Sequence, residues 1–230
     1  MTNRDPERGI DAPARGRWVP NGEPPAGQRA ALWRLAAALR RTTHLLMETE
    51  APEAELVAAA EAAERFADRL AGLPSHRALW GFAEAANAGN TRAFFDSSPL
   101  IGMANPVAPP LEMTMSAAGV EGRATFGTAH EGPPGHVHGG MVAAAFDEVL
   151  GMAQSLTGQP GMTGTLTVRY RRPTPLHREL RLAARVDRVD GRKIYASGTL
   201  HDGGTLCAEA EAVFVSVDFG RFREMADRRD

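Results

Sequence analysis

The chain has a single cysteine, Cys207, among its 230 residues. One thiol cannot close an intramolecular disulfide, so a reducing, cytoplasmic compartment is expected. No apolar run approaches the roughly 20 residues that a bilayer-spanning helix requires. The opening stretch, MTNRDPERGIDAPARGRWVPNGEPPAG, lacks the apolar core of a signal peptide. Neither sign of charge is in excess. A net charge of -2 gives no case for nucleic acid or an anionic membrane as partner. Hydrophobic content of 43% with 23% charged residues is that of an ordinary soluble globular protein. Such a length holds one large domain or a core domain with an extension.

The chain divides by composition. Residues 1–27 are rich in Pro, Gly and Arg and read as a flexible arm. Residues 28–96 form a helical extension. Leu32, Leu35, Ala36 and Leu39 share one helical face, as do Leu56, Ala60, Ala63, Phe66 and Leu70, with a shorter third pattern over 79–86 ended by Gly89. The core domain is expected over 97–219, with 220–230 a C-terminal tail. Its lead-in, 97–110, holds four prolines and no period, so it reads as an ordered connection. Strands are expected over 111–115 and 124–128, with Gly119 and Gly122 in the turn between them. A helix follows over 140–156. Alternation then marks four more strands, around Leu166–Tyr170, Leu180–Val186, Ile194–Leu200 and Leu206–Ala212, with turns at Asp190-Gly191 and Asp202-Gly203-Gly204. A single apolar helix between strands fits best on the concave face of a curved antiparallel sheet, an α+β architecture.

That helix contains the chemistry. GHVHGGMVAAAFDEVLG, residues 135–151, sets Asp147 and Glu148 in an otherwise apolar run. An unpaired buried carboxylate costs several kcal/mol, so either one acid reaches solvent at the helix edge or one has a function. The helix start favours function. Gly139 and Gly140 let a ligand approach the backbone closely, and the first N–H groups of a helix can receive a carbonyl oxygen that turns negative during acyl transfer. Asp147 lies two turns beyond Gly140 on the same side, roughly 10 Å away. One helix cannot bring both groups to one carbon. Two antiparallel helices across a two-fold axis can, so a composite site in a homodimer is expected, or in a homotetramer built as a dimer of dimers.

EGPPGHVHGGMVAAAFDE followed by MTGTLTVRYRRPTPL resembles the hotdog-fold acyl-CoA thioesterases of the phenylacetate-pathway and 4-hydroxybenzoyl-CoA thioesterase superfamily. In that family a His-Gly-Gly opens the central helix and an acid follows nine residues after the His, as His138-Gly139-Gly140 and Asp147 do. The resemblance implies a hotdog fold, with a sheet wrapped around one long helix, and a thioester hydrolase of fatty acid metabolism without a cofactor. It implies Asp147 as base or nucleophile. It also implies the Gly139 N–H as oxyanion donor with His138 beside it, and Thr163 as the residue that holds the attacking water. Gly140 would line the substrate. Arg169, with Arg192 or Lys193, matches places where the family holds coenzyme A. The family's frequent Asn six residues before the His is here Gly132, so that polar contact is missing or comes from His136.

Other residues have plainer readings. His136 and His138 lack a third metal ligand at useful spacing, so no metal is expected. Glu148 lies about one hundred degrees round the helix from Asp147 and ranks second as the acid. Arg169, Arg171 and Arg172 could be a solvated strand face, although Arg is well suited to the phosphates of coenzyme A. Cys207, on a strand face with Glu209, reads as structural. Two other functions remain open: a non-catalytic acyl-CoA-binding module on the same fold, and a hydratase, whose usual Asp–His motif is not found.

Overall fold

The computed structural model describes residues 25–74, 96–159 and 161–216. The arm, the 79–86 pattern and the tail lie outside them, apart from residues 25–27. Two helices come first, α1 (Gly27–Glu48) and α2 (Glu53–Ala71). Strands β1 (Glu112–Ser116) and β2 (Gly119–Thr125) follow, then the central helix α3 (Gly139–Ser155). Strands β3 (Gly161–Tyr170), β4 (Glu179–Asp190), β5 (Lys193–Asp202) and β6 (Thr205–Ser216) complete the order. The six strands form one sheet in the order β1-β2-β4-β5-β6-β3, with every pairing antiparallel. This is the α+β hotdog arrangement expected. Among the described residues no helix is long and apolar enough to cross a membrane.

The core lies between α3 and one face of the sheet. Val142, Phe146, Val149 and Leu150 of α3 are buried with Leu180, Leu182, Ile194, Leu200 and Phe214 of the sheet. The alternation in β4 and β5 places every second residue against the helix, which is why their small and large apolar residues are the buried ones. The β4–β5 turn is Gly191-Arg192, one residue later than expected, because Asp190 pairs with Lys193. Gly191 takes φ 57° there, as a tight hairpin requires.

Gly119 and Gly122 are not turn residues. Both belong to β2, which occupies 119–125 rather than 124–128, and the chain reverses at Ala117-Ala118. The reason at Gly122 is close approach: a Cβ there would lie 3.1 Å from Val149 Cγ1 of α3. A side chain there would crowd Val149, Leu111 and Leu182 at once.

The extension is tied down through α1. Arg29 donates to both oxygens of Asp96, at 2.8 and 2.9 Å, and Trp33 Nε1 donates to Asp96 at 2.8 Å. Arg40 donates to the Asn105 carbonyl at 2.8 Å, and the Ala129 N–H donates to His44 Nδ1 at 3.0 Å. In contrast, α2 has no buried residue, so its apolar face is uncovered by the described chain.

Candidate active site

The site forms where α3 begins and where β3 runs along it. The His130 carbonyl accepts from the His138 N–H at 2.9 Å, fixing the approach to the helix. His130 is itself buried, and burial pushes its imidazole down to about 4, so it brings no positive charge at neutral pH. His138 is the N-cap: its Nδ1 accepts from the Gly140 N–H at 3.0 Å. The ring therefore satisfies one orphan donor of the first turn. The Gly139 N–H donates to no acceptor among the described residues.

Gly132 is where an Asn would stand in the resembling family. A Cβ there would lie 2.7 Å from His138 Cα, so only glycine fits unless the His138 backbone moves. His136 Nδ1 lies 2.8 Å from the Pro134 carbonyl of its own turn.

Asp147 and Glu148 separate into different environments. Asp147 is exposed, and its Oδ1 accepts from the Thr163 hydroxyl of β3 at 2.8 Å. Glu148 is the acid that burial affects. Its Oε1 accepts from Ser98 Oγ at 3.0 Å, and Ser98 in turn accepts from the N–H groups of Leu100 and Ile101. Burial pushes the Glu148 carboxyl up to about 7, the Ser98 hydrogen bond opposes this, and the charge of Asp147 adds to it. The carboxylate that the apolar run of α3 seemed to bury is thus Glu148, one residue from the acid expected to react.

Thr163 reaches Asp147 because of a β-bulge. Thr163 pairs with Phe214 and Thr165 with Val213, leaving Gly164 unpaired between them. The extra residue turns Thr163 onto the helix side of the sheet, with Leu166, Val168 and Tyr170. Strict alternation would instead place Thr163 with outward-facing Thr165 and Thr167. Tyr170 escaped the sequence reading as a polar contact. Its hydroxyl donates to the Gly139 carbonyl at 2.8 Å.

The three basic residues are not brought together within one chain. Arg169 is exposed and pairs with Glu211 at 3.0 Å on the outer face of the sheet. There it borders a depression of about 400 Å³. Arg192 donates to the Ser216 carbonyl at 3.1 and 3.2 Å. Lys193 pairs with Val215, which pairs with Met162, so it sits seven β3 residues from Arg169, about 23 Å along the strand. Cys207 is buried, and burial pushes its thiol up, as suits a structural residue.

The family model described as the thioesterase superfamily matches residues 134–209, which include α3, β3, β4 and β5. A solved thioesterase superfamily protein is 34% identical, with a TM-score of 0.72; the match covers 84% of this chain and 97% of that one. The chain belongs to the thioesterase superfamily. Acyl-coenzyme A thioesterase THEM4 of Xenopus laevis is 36% identical over 89 residues, 38% of this chain and 40% of that protein. Acyl-coenzyme A thioesterase THEM5 of Homo sapiens is 32% identical over 89 residues, 38% of this chain and 36% of that protein. The chain thus matches about two fifths of the length of these curated relatives.

Proposed function

We propose that the chain hydrolyses acyl-CoA thioesters to the free acid and coenzyme A, with Asp147 as the base. One observation carries this reading. Asp147 is exposed and oriented by Thr163, on the same helix whose first N–H is unclaimed among the described residues. Thr163 occupies Oδ1, which leaves Oδ2 for a water molecule. Asp147 takes a proton as the water oxygen adds to the thioester carbon. The carbonyl oxygen becomes an oxyanion at the Gly139 N–H, held where charge develops. The C–S bond then breaks, and the proton on Asp147 leaves with the thiol.

Gly139 and Asp147 are eight residues apart, about 12 Å along one helix. They serve one carbon only if two copies contribute one group each. β3 ends the sheet order, so its outer edge is unpaired among the described residues. Antiparallel pairing of β3 with its counterpart would continue the sheet and set two α3 helices side by side. It would also bring the Arg169 end of one strand towards the Lys193 end of the other copy, which answers their separation within one chain. Static light scattering should give at least twice the chain mass of 24.6 kDa. Full activity at the monomer mass would overturn the shared site.

The direct test is a panel of acyl-CoAs with a free-thiol readout. Tight binding without thiol release would favour the non-catalytic module instead. The arginine assignment has its own test. A phosphate must displace Glu211 from Arg169, and the pair is exposed, so Arg169→Ala should raise KM about fivefold, roughly 1 kcal/mol. The contact exists in ground and transition states alike, so kcat should hold. An N-acetylcysteamine thioester of the same acyl group has no nucleotide and should show no change. Equal changes with both substrates would return Arg169 to a solvated strand face.

A further inference from the structure

We infer that Tyr170 is a positioning residue for the oxyanion donor, acting through the peptide that follows Gly139. The inference rests on the thioester-hydrolysis reading for its kinetic readout. The peptide linking Gly139 and Gly140 is held at both ends by side chains from different elements. Its carbonyl accepts from the Tyr170 hydroxyl at the end of β3, at 2.8 Å. Its N–H donates to His138 Nδ1, at 3.0 Å. The preceding peptide, which carries the Gly139 N–H, is held by its carbonyl: His138 O accepts from the N–H groups of Met141 and Val142, at 2.9 and 3.2 Å.

Gly139 joins these two peptide planes, and glycine is the residue with the widest backbone freedom. Left alone, it would let its N–H swing. With both planes anchored, its φ and ψ are fixed and the N–H direction is set before substrate arrives. Preorganisation of this kind is where an oxyanion site gains most of its effect. The ring itself lies against Gly139, since a Cβ there would stand 3.4 Å from the Tyr170 oxygen. Tyr170 does not reach the reacting carbon in this account. It holds the backbone that does.

A purely packing role is the competing account, and Phe separates the two. Tyr170→Phe keeps the ring and deletes only the donor to Gly139 O. Tyr170 is 53% exposed and Gly139 O stays within the first turn of α3, so folding should not suffer. Hydrolysis by Tyr170→Phe should fall about tenfold in kcat, below the roughly 10²–10³ for outright loss of an oxyanion donor. KM should stay within about twofold, because the ground-state carbonyl uses the donor weakly. The thermal midpoint should not move. Amide hydrogen exchange, read by NMR at Gly140, should be faster in the variant, since its peptide loses the Tyr170 anchor. Unchanged kcat with unchanged exchange would overturn the inference, and so would a kcat loss that merely tracks a lowered midpoint. If the parent chain hydrolyses no acyl-CoA, the activity reading fails by itself, and the exchange measurement decides the role of Tyr170: equal rates in parent and variant would sink it.

Discussion

Asp147→Asn should lower acyl-CoA hydrolysis by roughly 10²–10⁴-fold, the range for losing a general base. Asn has the size of Asp and keeps an oxygen that can accept from the Thr163 hydroxyl. Asp147 is exposed and belongs to no core cluster, so the fold should not notice the change. What disappears is the ability to take a proton from water. Binding of acyl-CoA should persist, because the Gly139 N–H and the basic residues are untouched. That combination also separates the enzyme from a binding module, in which the same substitution would alter little. The measurement is thiol release by the purified variant alongside its circular dichroism spectrum. Hydrolysis near the parent rate would remove Asp147 from the mechanism, as base or as nucleophile.

The helix, the meander and their order were legible because each rests on a local pattern. The apolar run of α3 follows a helical period, β4 as far as Val186 and β5 alternate, and Gly191 and Gly203 supply the positive φ their turns need. What escaped the sequence depends on long-range placement. Nothing local says that Gly122 must clear Val149 of a helix formed later in the chain. The bulge at Gly164 reverses the parity of β3, so simple counting puts Thr163 on the wrong face. Tyr170 looked like one more alternating apolar residue, since its partner is a carbonyl 31 positions away. The pair Asp147-Glu148 showed an anomaly without showing which acid was buried. That depended on Ser98, fifty residues earlier, in a connection with no period of its own. The His-Gly-Gly and Asp spacing pointed to α3, while the contacts of Asp147 with Thr163, Glu148 with Ser98 and Gly139 with Tyr170 came from tertiary structure alone.

Glu148 should make the fold weaker as pH rises, and Glu148→Gln should remove that loss. Its carboxyl is pushed from an ordinary 4.5 up to about 7, chiefly by burial. Between these values the folded chain keeps a proton that the unfolded chain has released. Stability therefore falls with rising pH across that window. The contribution is whole below 4.5 and gone once pH passes about 7. A shift of that size corresponds to a loss on the order of 3 kcal/mol. His130 works in the opposite sense. Its depressed imidazole adds stability that is complete above the ordinary 6.5 and is lost as pH falls towards about 4. Comparing variant with parent at each pH cancels that contribution. Gln has the shape of the protonated acid, and its Oε1 can still accept from Ser98 Oγ. Its amide nitrogen adds a cost that does not vary with pH, so the difference between pH 5 and pH 8 is the informative quantity. Denaturant unfolding at these two values should show the parent losing stability relative to Glu148→Gln by up to about 3 kcal/mol. A difference that stays constant between pH 5 and pH 8 would mean that Glu148 is ionised in the folded chain throughout. Burial would then not govern this acid, and the environments of Asp147 and Glu148 would not be distinct.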